Sequence, residues 1–149
     1  IHGSLEPIYD LFERFSPSEN DIVVILGDVG LNYTGTLQDI GSKRAMNKFG
    51  STFFCIHGNH ENRPQNIASY KEKEWNGGRV MYEDDFPNIL FPIDADIFEL
   101  KGKKCIVIGG AYSVDKFYRL RYGYKWWPDE QPSPEIKVST WKVIFFSSG

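Results

Sequence analysis

Short apolar runs, each stopped by glycine or a polar turn, constrain the fold of this chain more than any other feature. The run at residues 22–26 is rich in β-branched side chains and apolar on both faces, and residues 52–56 repeat the pattern. Two further runs of this kind lie at residues 105–108 and 143–146. A short run without alternation is typical of a strand buried on both faces. The sequence therefore predicts four such strands, with residues 22–26 as a central one.

Two segments before and between these runs show the periodicity of amphipathic helices. Apolar residues recur at helical spacing over residues 5–15, with Ser4 as a candidate N-cap. A weaker stripe covers residues 40–49, and Gly50 follows as a stop signal. Strands, glycine-bearing loops and helices thus alternate, which is typical of an α/β fold.

The middle of the chain predicts hairpins rather than further parallel strands. Shorter strands are expected at residues 88–91 and 97–100, and residues 101–104 predict a hairpin turn. A mixed sheet, or a pair of packed sheets, therefore fits better than a purely parallel one.

Charge and hydropathy narrow the function classes. The chain carries 17 basic and 20 acidic side chains, a net charge of −3, so it lacks the basic excess of a nucleic-acid-binding protein. It has no apolar run long enough for a membrane span, and its first residues lack the basic and apolar regions of a signal peptide, so neither a signal peptide nor a membrane partner is expected. Cys55 and Cys105 lie within apolar runs, where thiols are usually buried and inert; a disulfide or a thiolate ligand is the minor alternative. These features predict one cytoplasmic domain over residues 1–149.

Polar side chains follow the ends of the predicted strands. Asp28 follows the first run, and Asn59 and His60 follow the second; His2 would follow a strand that precedes the first residue given. Because ligands of open α/β sheets bind at the carboxyl ends of strands, these side chains are expected to share a site. Their oxygen and imidazole donors suit Mn, Fe, Zn or Mg.

Each of these features also has an explanation without a site. Gly and Asp both favour turns, so Asp28 alone is weak support. Asn59 and His60 are residue types that often cap turns or helices, and an isolated His2 could be a solvated side chain or the remnant of a tag. Their order along the chain, each after an apolar run, favours the metal site.

These residues resemble three motif blocks of the calcineurin-like metallophosphoesterases. The blocks are His2-Gly3, Gly27-Asp28 and Gly58-Asn59-His60-Glu61, where the family reads Asp-x-His-Gly, Gly-Asp and Gly-Asn-His followed by Asp or Glu. The spacing between the blocks is typical of the family. The stretch Gly-Gly-Ala-Tyr-Ser at residues 109–113 also resembles the strand-end loop that follows in the family, and the resemblance extends to about Pro134.

The resemblance implies a four-layer α/β/β/α sandwich with mixed sheets, here incomplete, and a centre of two divalent metal ions. His2 would ligate the first metal, Asp28 would bridge both, and Asn59 would ligate the second. His60 would face the phosphate and stabilise or protonate the leaving oxygen. The implied activity is hydrolysis of phosphate mono- or diesters by a metal-bound hydroxide, with manganese as one candidate metal.

Four further polar residues are expected to face the substrate or to support the metal ligands. Asn32 is a shifted counterpart of the polar residue that continues the second block. His57 and Arg63 flank the third block; a turn histidine and a solvated loop arginine are the alternatives. Arg119 is a candidate phosphate contact.

Basic and aromatic residues are crowded together over residues 112–127. Such a mixture can bind nucleic acid by stacking, which would be strongly dependent on salt. Because the net charge is negative, the segment is instead expected to be a loop and short helix at the rim of the site. Trp126 and Trp127 are expected to pack on the core.

Two departures from the family pattern lead to two hypotheses. The first block's Asp would lie before residue 1, and no histidine follows His60, although the family uses later histidines. The first hypothesis is the N-terminal two-thirds of a phosphoesterase, truncated at both ends, that acts on a phosphorylated substrate. The second is a non-catalytic scaffold with a weak metal site or none. Nucleic acid is expected only as a substrate.

Overall fold

A computed structural model describes residues 3–146 of the chain. The described residues form four helices and seven strands: helices and strands alternate up to β2, five strands then follow one another, and two helices come last. The helices are α1 (Glu6–Phe15), α2 (Leu37–Asn47), α3 (Lys116–Arg121) and α4 (Pro134–Phe146), with a short 3-10 helix at Pro64–Asn66. The strands are β1 (Ile22–Leu26), β2 (Thr52–Ile56), β3 (Lys71–Trp75), β4 (Gly78–Glu83), β5 (Phe86–Pro92), β6 (Ile97–Leu100) and β7 (Lys103–Ile106).

The principal sheet is mixed, as the sequence predicts. Its order is β1-β2-β5-β4-β3, in which β1, β2 and β5 run parallel and β4 is antiparallel to both of its neighbours. Strands β6 and β7 form a separate antiparallel hairpin, and Leu100 pairs with Lys103 across the turn. Lys101 and Gly102 both have positive φ, which is the conformation that a tight two-residue hairpin turn requires. The mixed α/β fold and the predicted hairpin are thus confirmed.

Two apolar clusters lie on opposite faces of the sheet. Phe53 and Cys55 of β2 belong to the cluster that includes Ile8 of α1 and Met46 of α2. The neighbouring Phe54 points to the other face, where its ring lies 5.0 Å from that of Phe98 in β6. Strand β2 is therefore covered on both faces, and its two flanking loops are held on a rigid base.

Strand β1 is not the central strand that its composition predicts. Among residues 3–146 it lies at the edge of the sheet, next to β2 alone. Ile25 faces the helix-side cluster and is 7% exposed, whereas Val24 and Leu26 are 43% and 82% exposed on the opposite face. An apolar run predicts the tendency of a strand to be buried, but whether another element covers each face depends on tertiary packing.

The predicted strand at residues 143–146 is wrong, because these residues form the last turn of α4. Ser133, Pro134 and Glu135 are a helix start, and the Ile136 amide N–H donates to Ser133 Oγ at 3.3 Å. No glycine or proline follows to stop the helix before Phe146. The start signal, and not the β-branched run, decides the structure of this segment.

Smaller corrections concern the ends of elements. The third predicted strand is shifted, since β7 begins at Lys103, ends at Ile106 and pairs with β6 rather than with the principal sheet. Ser4 accepts a hydrogen bond from the Glu6 N–H at 3.4 Å, but Leu5 occupies the N-cap position of α1. Within residues 3–146, none of the helices combines the length and the hydropathy that a membrane span needs.

Candidate functional site

The loops that follow β1 and β2 touch each other where the sheet ends. Asp28 has a φ of +49°, a left-handed conformation that aspartate tolerates better than most residues, and its Oδ1 accepts a hydrogen bond from the His60 amide N–H at 3.0 Å. A Cβ atom on Gly58 would lie 2.0 Å from that same Oδ1. Only glycine at residue 58 therefore lets the carboxylate of Asp28 sit against the second loop.

The buried side chain of Glu61 connects the same two loops. Its side chain is fully buried, and its carboxylate accepts hydrogen bonds from the Gly58 N–H at 3.0 Å and from the Gly30 N–H at 3.1 Å. Burial raises the pKa of Glu61 to about 7, although the backbone hydrogen bonds from both loops oppose that change. The motif that ends at Glu61 assigns this residue no role, whereas in the structure its carboxylate connects the two loops.

The imidazole of His60 lies between two carboxylates. Its Nδ1 is 3.6 Å from Asp28 Oδ2, and its Nε2 is 3.9 Å from Asp115 Oδ1. Asp115 also accepts a hydrogen bond from Arg119 Nε at 2.8 Å. Burial works to raise the pKa of Asp115, but the bond and the charge of Arg119 outweigh it and lower that pKa overall. Sequence reasoning did not single out Asp115, because it lies more than fifty residues from His60.

Asn59 is oriented by a chain of buried polar groups. Its Nδ2 donates to Ser113 Oγ at 2.9 Å, and the Ser113 amide N–H donates to Glu130 at 3.0 Å. Glu130 accepts a further bond from Trp126 Nε1 at 2.8 Å. Because the amide nitrogen of Asn59 is bound in this way, its carbonyl oxygen is the atom left to face a cation.

The two tryptophans support the site and do not fill the core. Trp126 donates to the buried Glu130, and the ring of Trp127 lies edge-on to Tyr33 at 5.6 Å. Neither tryptophan belongs to the two apolar clusters found in the described part of the chain. The expectation of core packing is therefore wrong for Trp126 and Trp127.

His57 is buried beneath the loops and is only 5% exposed. Neither of its ring nitrogens has a hydrogen-bond partner among the described residues. Burial and the nearby charge of Arg63 lower the pKa of His57 to about 3, so the ring is neutral near pH 7. With Asp28 and Asn59 it lines an open cleft of about 370 Å³ at the carboxyl ends of β1 and β2.

Two of the candidate substrate-facing residues are engaged in holding loops together. Arg63 donates from Nη1 to Asp94 at 2.7 Å and from Nε to the Asp129 carbonyl oxygen at 2.7 Å. Asn32 is 3% exposed, and its Oδ1 accepts a hydrogen bond from the Tyr70 hydroxyl at 2.9 Å. Neither side chain lines the cavity that contains Asp28 and His60.

Arg119, in contrast, shares a cavity with the central residues. The cavity measures about 260 Å³ and is lined by Asp28, His60 and Arg119 together with Tyr33 and Ser42. Arg119 forms one wall, where its guanidinium is held by Asp115 and by the Lys125 carbonyl oxygen at 3.1 Å. The site thus presents a carboxylate, an imidazole and a guanidinium to one small volume.

The described residues contribute part of a metal donor set. Asp28 offers carboxylate oxygens and Asn59 an amide oxygen, donors that suit hard and borderline divalent cations. His2 lies outside the described residues, so its predicted role as a ligand stays a prediction. Residues 3–146 contain no group of three or more His, Cys, Asp or Glu side chains arranged to hold a metal ion.

A family model described as calcineurin-like phosphoesterase matches residues 1–148 of the chain. The chain belongs to the calcineurin-like phosphoesterase family. Members of this family are generally phosphoesterase hydrolases, and they typically bind divalent metals. Comparison with curated proteins and with solved structures gave no match. The resemblance of the three motif blocks is therefore confirmed at the level of the family.

Proposed function

We propose that this protein hydrolyses phosphate mono- or diesters of a phosphorylated substrate, and that it does so with two divalent metal ions. The observation that carries the proposal is the contact between the loops after β1 and β2. That contact brings the Asp28 carboxylate within 3.6 Å of the His60 imidazole, at a cavity that Arg119 also lines. A carboxylate, a proton donor and a cation meeting at one cavity match the needs of phosphoester hydrolysis.

Asp28, Asn59 and His2 are the residues that would hold the metals. Asp28 would bridge the two ions, because one carboxylate supplies two oxygens to two cations. Asn59 would ligate one ion through its carbonyl oxygen and His2 the other. When bound, two such ions activate a water molecule near neutral pH and neutralise charge on the phosphoryl oxygens. Manganese, iron, zinc and magnesium all suit these donors.

His60 and Arg119 would act on the substrate. A protonated imidazole can donate a hydrogen bond or a proton to the leaving oxygen, and Asp115 lies near its Nε2 to favour that orientation. Arg119, held rigid by Asp115, lies on the wall of the cavity where a phosphoryl oxygen would be bound. We place the protein in the cytoplasm, because both of its cysteines are free thiols; Cys55 is buried, whereas Cys105 is partly exposed and not buried as its apolar run predicts.

The test is hydrolysis of p-nitrophenyl phosphate and bis(p-nitrophenyl) phosphate with Mn²⁺. Replacing His60 with Ala is expected to lower kcat by roughly 10²- to 10⁴-fold, the usual range for a lost general acid. Asp28→Asn should lower both kcat and metal content, whereas Asp10→Asn on the exposed surface of α1 should change neither. Full activity and full metal content in Asp28→Asn would contradict the proposal.

Metal stoichiometry separates the proposal from the non-catalytic scaffold. Two tightly bound divalent ions per chain, measured by elemental analysis after desalting, would support the two-metal site. No bound ion, together with no turnover of either ester, would show that the chain is a scaffold.

A further inference from the structure

The exposed aromatic side chains of this protein are concentrated in one segment beside the cavity, residues 112–127, called the rim segment below. Five aromatic side chains in it are more than half exposed: Tyr112, Phe117, Tyr118, Tyr122 and Tyr124. Soluble domains seldom expose so many large rings together unless they bind something. The rim segment includes α3, whose Arg119 forms one wall of the cavity.

The rings form a platform and do not point in unrelated directions. Tyr118 and Tyr124 are almost parallel, with an interplanar angle of 15° and centroids 6.0 Å apart. The ring of Tyr122, the residue directly after α3, lies 4.6 Å from that of Tyr118 and is tilted by 43° to it. Flat, partly stacked rings open to solvent are the surface on which unpaired bases stack, whatever their sequence.

The charge of the rim segment is opposite to that of the whole chain. It contains four basic side chains and one acidic one, whereas the chain has a net charge of −3. The single acid, Asp115, is already bound to Arg119. Lys116 lies 4.0 Å from the ring centroid of Trp126, and Arg121 lies 5.8 Å from that of Tyr122, so two of the cations lie over aromatic rings. The other residues carry 13 basic and 19 acidic side chains, so a polyanion would be attracted more to the rim segment than to the rest of the chain.

The rim segment is also fastened to the site, so that a ligand bound on it would be aimed at the cavity. Lys125 Nζ donates to the Thr34 carbonyl oxygen at 2.6 Å, and Trp127 packs edge-on against Tyr33. Asp115 of the same segment lies 3.9 Å from His60. A chain crossing the rings would therefore pass its phosphates along the wall formed by Arg119.

We propose that the rim segment binds single-stranded nucleic acid, with bases stacked on the tyrosines and a backbone phosphodiester directed towards Asp28 and His60. The substrate class would then be the phosphodiester of a single strand. This step rests on the proposed phosphoesterase function for turnover, but the binding does not depend on it. Stacking explains the rings and phosphate attraction explains the local positive charge, whereas an apolar protein partner would explain only the rings.

The binding test uses a fluorescein-labelled oligothymidylate of about twelve nucleotides, a length within the usual range for such surfaces. Anisotropy is measured in EDTA at low and high salt, so that hydrolysis cannot interfere. Tight binding at low salt that weakens steeply with added salt is expected. Tyr118→Ala should weaken binding roughly tenfold, as the loss of one stacked base does. The control is Phe15→Ala, which removes a still more exposed ring on α1, beside a groove at the start of β1, and it should leave affinity unchanged.

Three results would overturn the proposal: no binding at low salt, equal affinity of wild type and Tyr118→Ala, or stronger binding to anionic phospholipid vesicles or a polyglutamate peptide than to the oligonucleotide.

A second experiment measures hydrolysis with Mn²⁺. Tyr118→Ala should raise KM for the oligonucleotide and leave hydrolysis of bis(p-nitrophenyl) phosphate unchanged. If the protein binds the oligonucleotide but hydrolyses neither it nor bis(p-nitrophenyl) phosphate, the proposed function is refuted and the proposed binding surface is supported. Hydrolysis of the small ester without oligonucleotide binding would refute only the surface.

Discussion

Glu61 offers the sharpest test of how the two site loops are held together. Its carboxylate accepts the Gly58 and Gly30 amide N–H groups while fully buried. The substitution Glu61→Gln keeps the size of the side chain and one acceptor oxygen. It also turns an NH₂ group towards the other backbone N–H, so that one buried donor loses its acceptor. Such a loss costs about 1–3 kcal/mol of unfolding free energy.

The substitution Glu61→Gln also removes a titrating carboxyl group, and the direction in which that group makes stability depend on pH can be worked out. Glu61 has an ordinary pKa of 4.5, and burial raises its folded-state pKa to about 7. The folded protein therefore holds this proton more tightly than the unfolded chain does. The resulting stabilisation is fully present below pH 4.5 and is lost as the pH rises through about 7. The difference between the two pKa values corresponds to about 3 kcal/mol.

The assay is urea unfolding of the metal-free protein in EDTA at several pH values from 4.5 to 8. The free energy of unfolding of the wild type, minus that of Glu61→Gln, should fall by up to about 3 kcal/mol across this range. Glu72→Gln, at an exposed position on β3, serves as the matched control and should leave the wild-type profile intact. A difference between wild type and Glu61→Gln that does not change with pH would refute the assignment of this titration to Glu61.

Three further substitutions test contacts around the site. Gly58→Ala would place Cβ 2.0 Å from Asp28 Oδ1 and is expected to lower the free energy of unfolding by more than about 2 kcal/mol; an unchanged thermal midpoint would contradict the close approach. The folded-state pKa of His57, about 3, lies below its ordinary 6.5, so its stabilisation is present above pH 6.5 and is lost as the pH falls towards 3. His57→Leu should therefore lessen the loss of stability between pH 6.5 and 4 in urea unfolding, and an identical loss in both proteins would be evidence against a buried neutral ring. Arg63→Leu leaves the buried carboxylate of Asp94 without its ion-pair partner and should cost about 3–5 kcal/mol in chemical denaturation, whereas a cost below 1 kcal/mol would show that solvent reaches Asp94.

The loops of the site could be located from the sequence because the relevant signals are local. A run of β-branched residues followed by Gly-Asp or Gly-Asn-His predicts both a strand and the polar loop at its end. Parallel neighbours then bring such loops to one edge of the sheet, as β1 and β2 do. The placement of Asp28 and His60 at one cavity follows from that rule alone.

Other features depended on contacts between distant parts of the chain. Asp115 approaches His60 only because α3 packs over the cavity. Arg63 does not line that cavity, because it forms an ion pair with Asp94 instead. The exposure of Leu26 on one face of β1 likewise could not be predicted from the apolar composition of that strand.

The sequence by itself determined the mixed α/β fold, the loops that hold the polar residues and the family to which the chain belongs. Those properties follow from short patterns: apolar periodicity, turn residues and motif spacing. The tertiary structure alone decided which face of each strand is covered, which carboxylate connects the two loops, and which basic side chains form ion pairs within the protein. The physical reason is that burial and pairing are properties of two segments in contact, so neither segment's sequence carries them on its own.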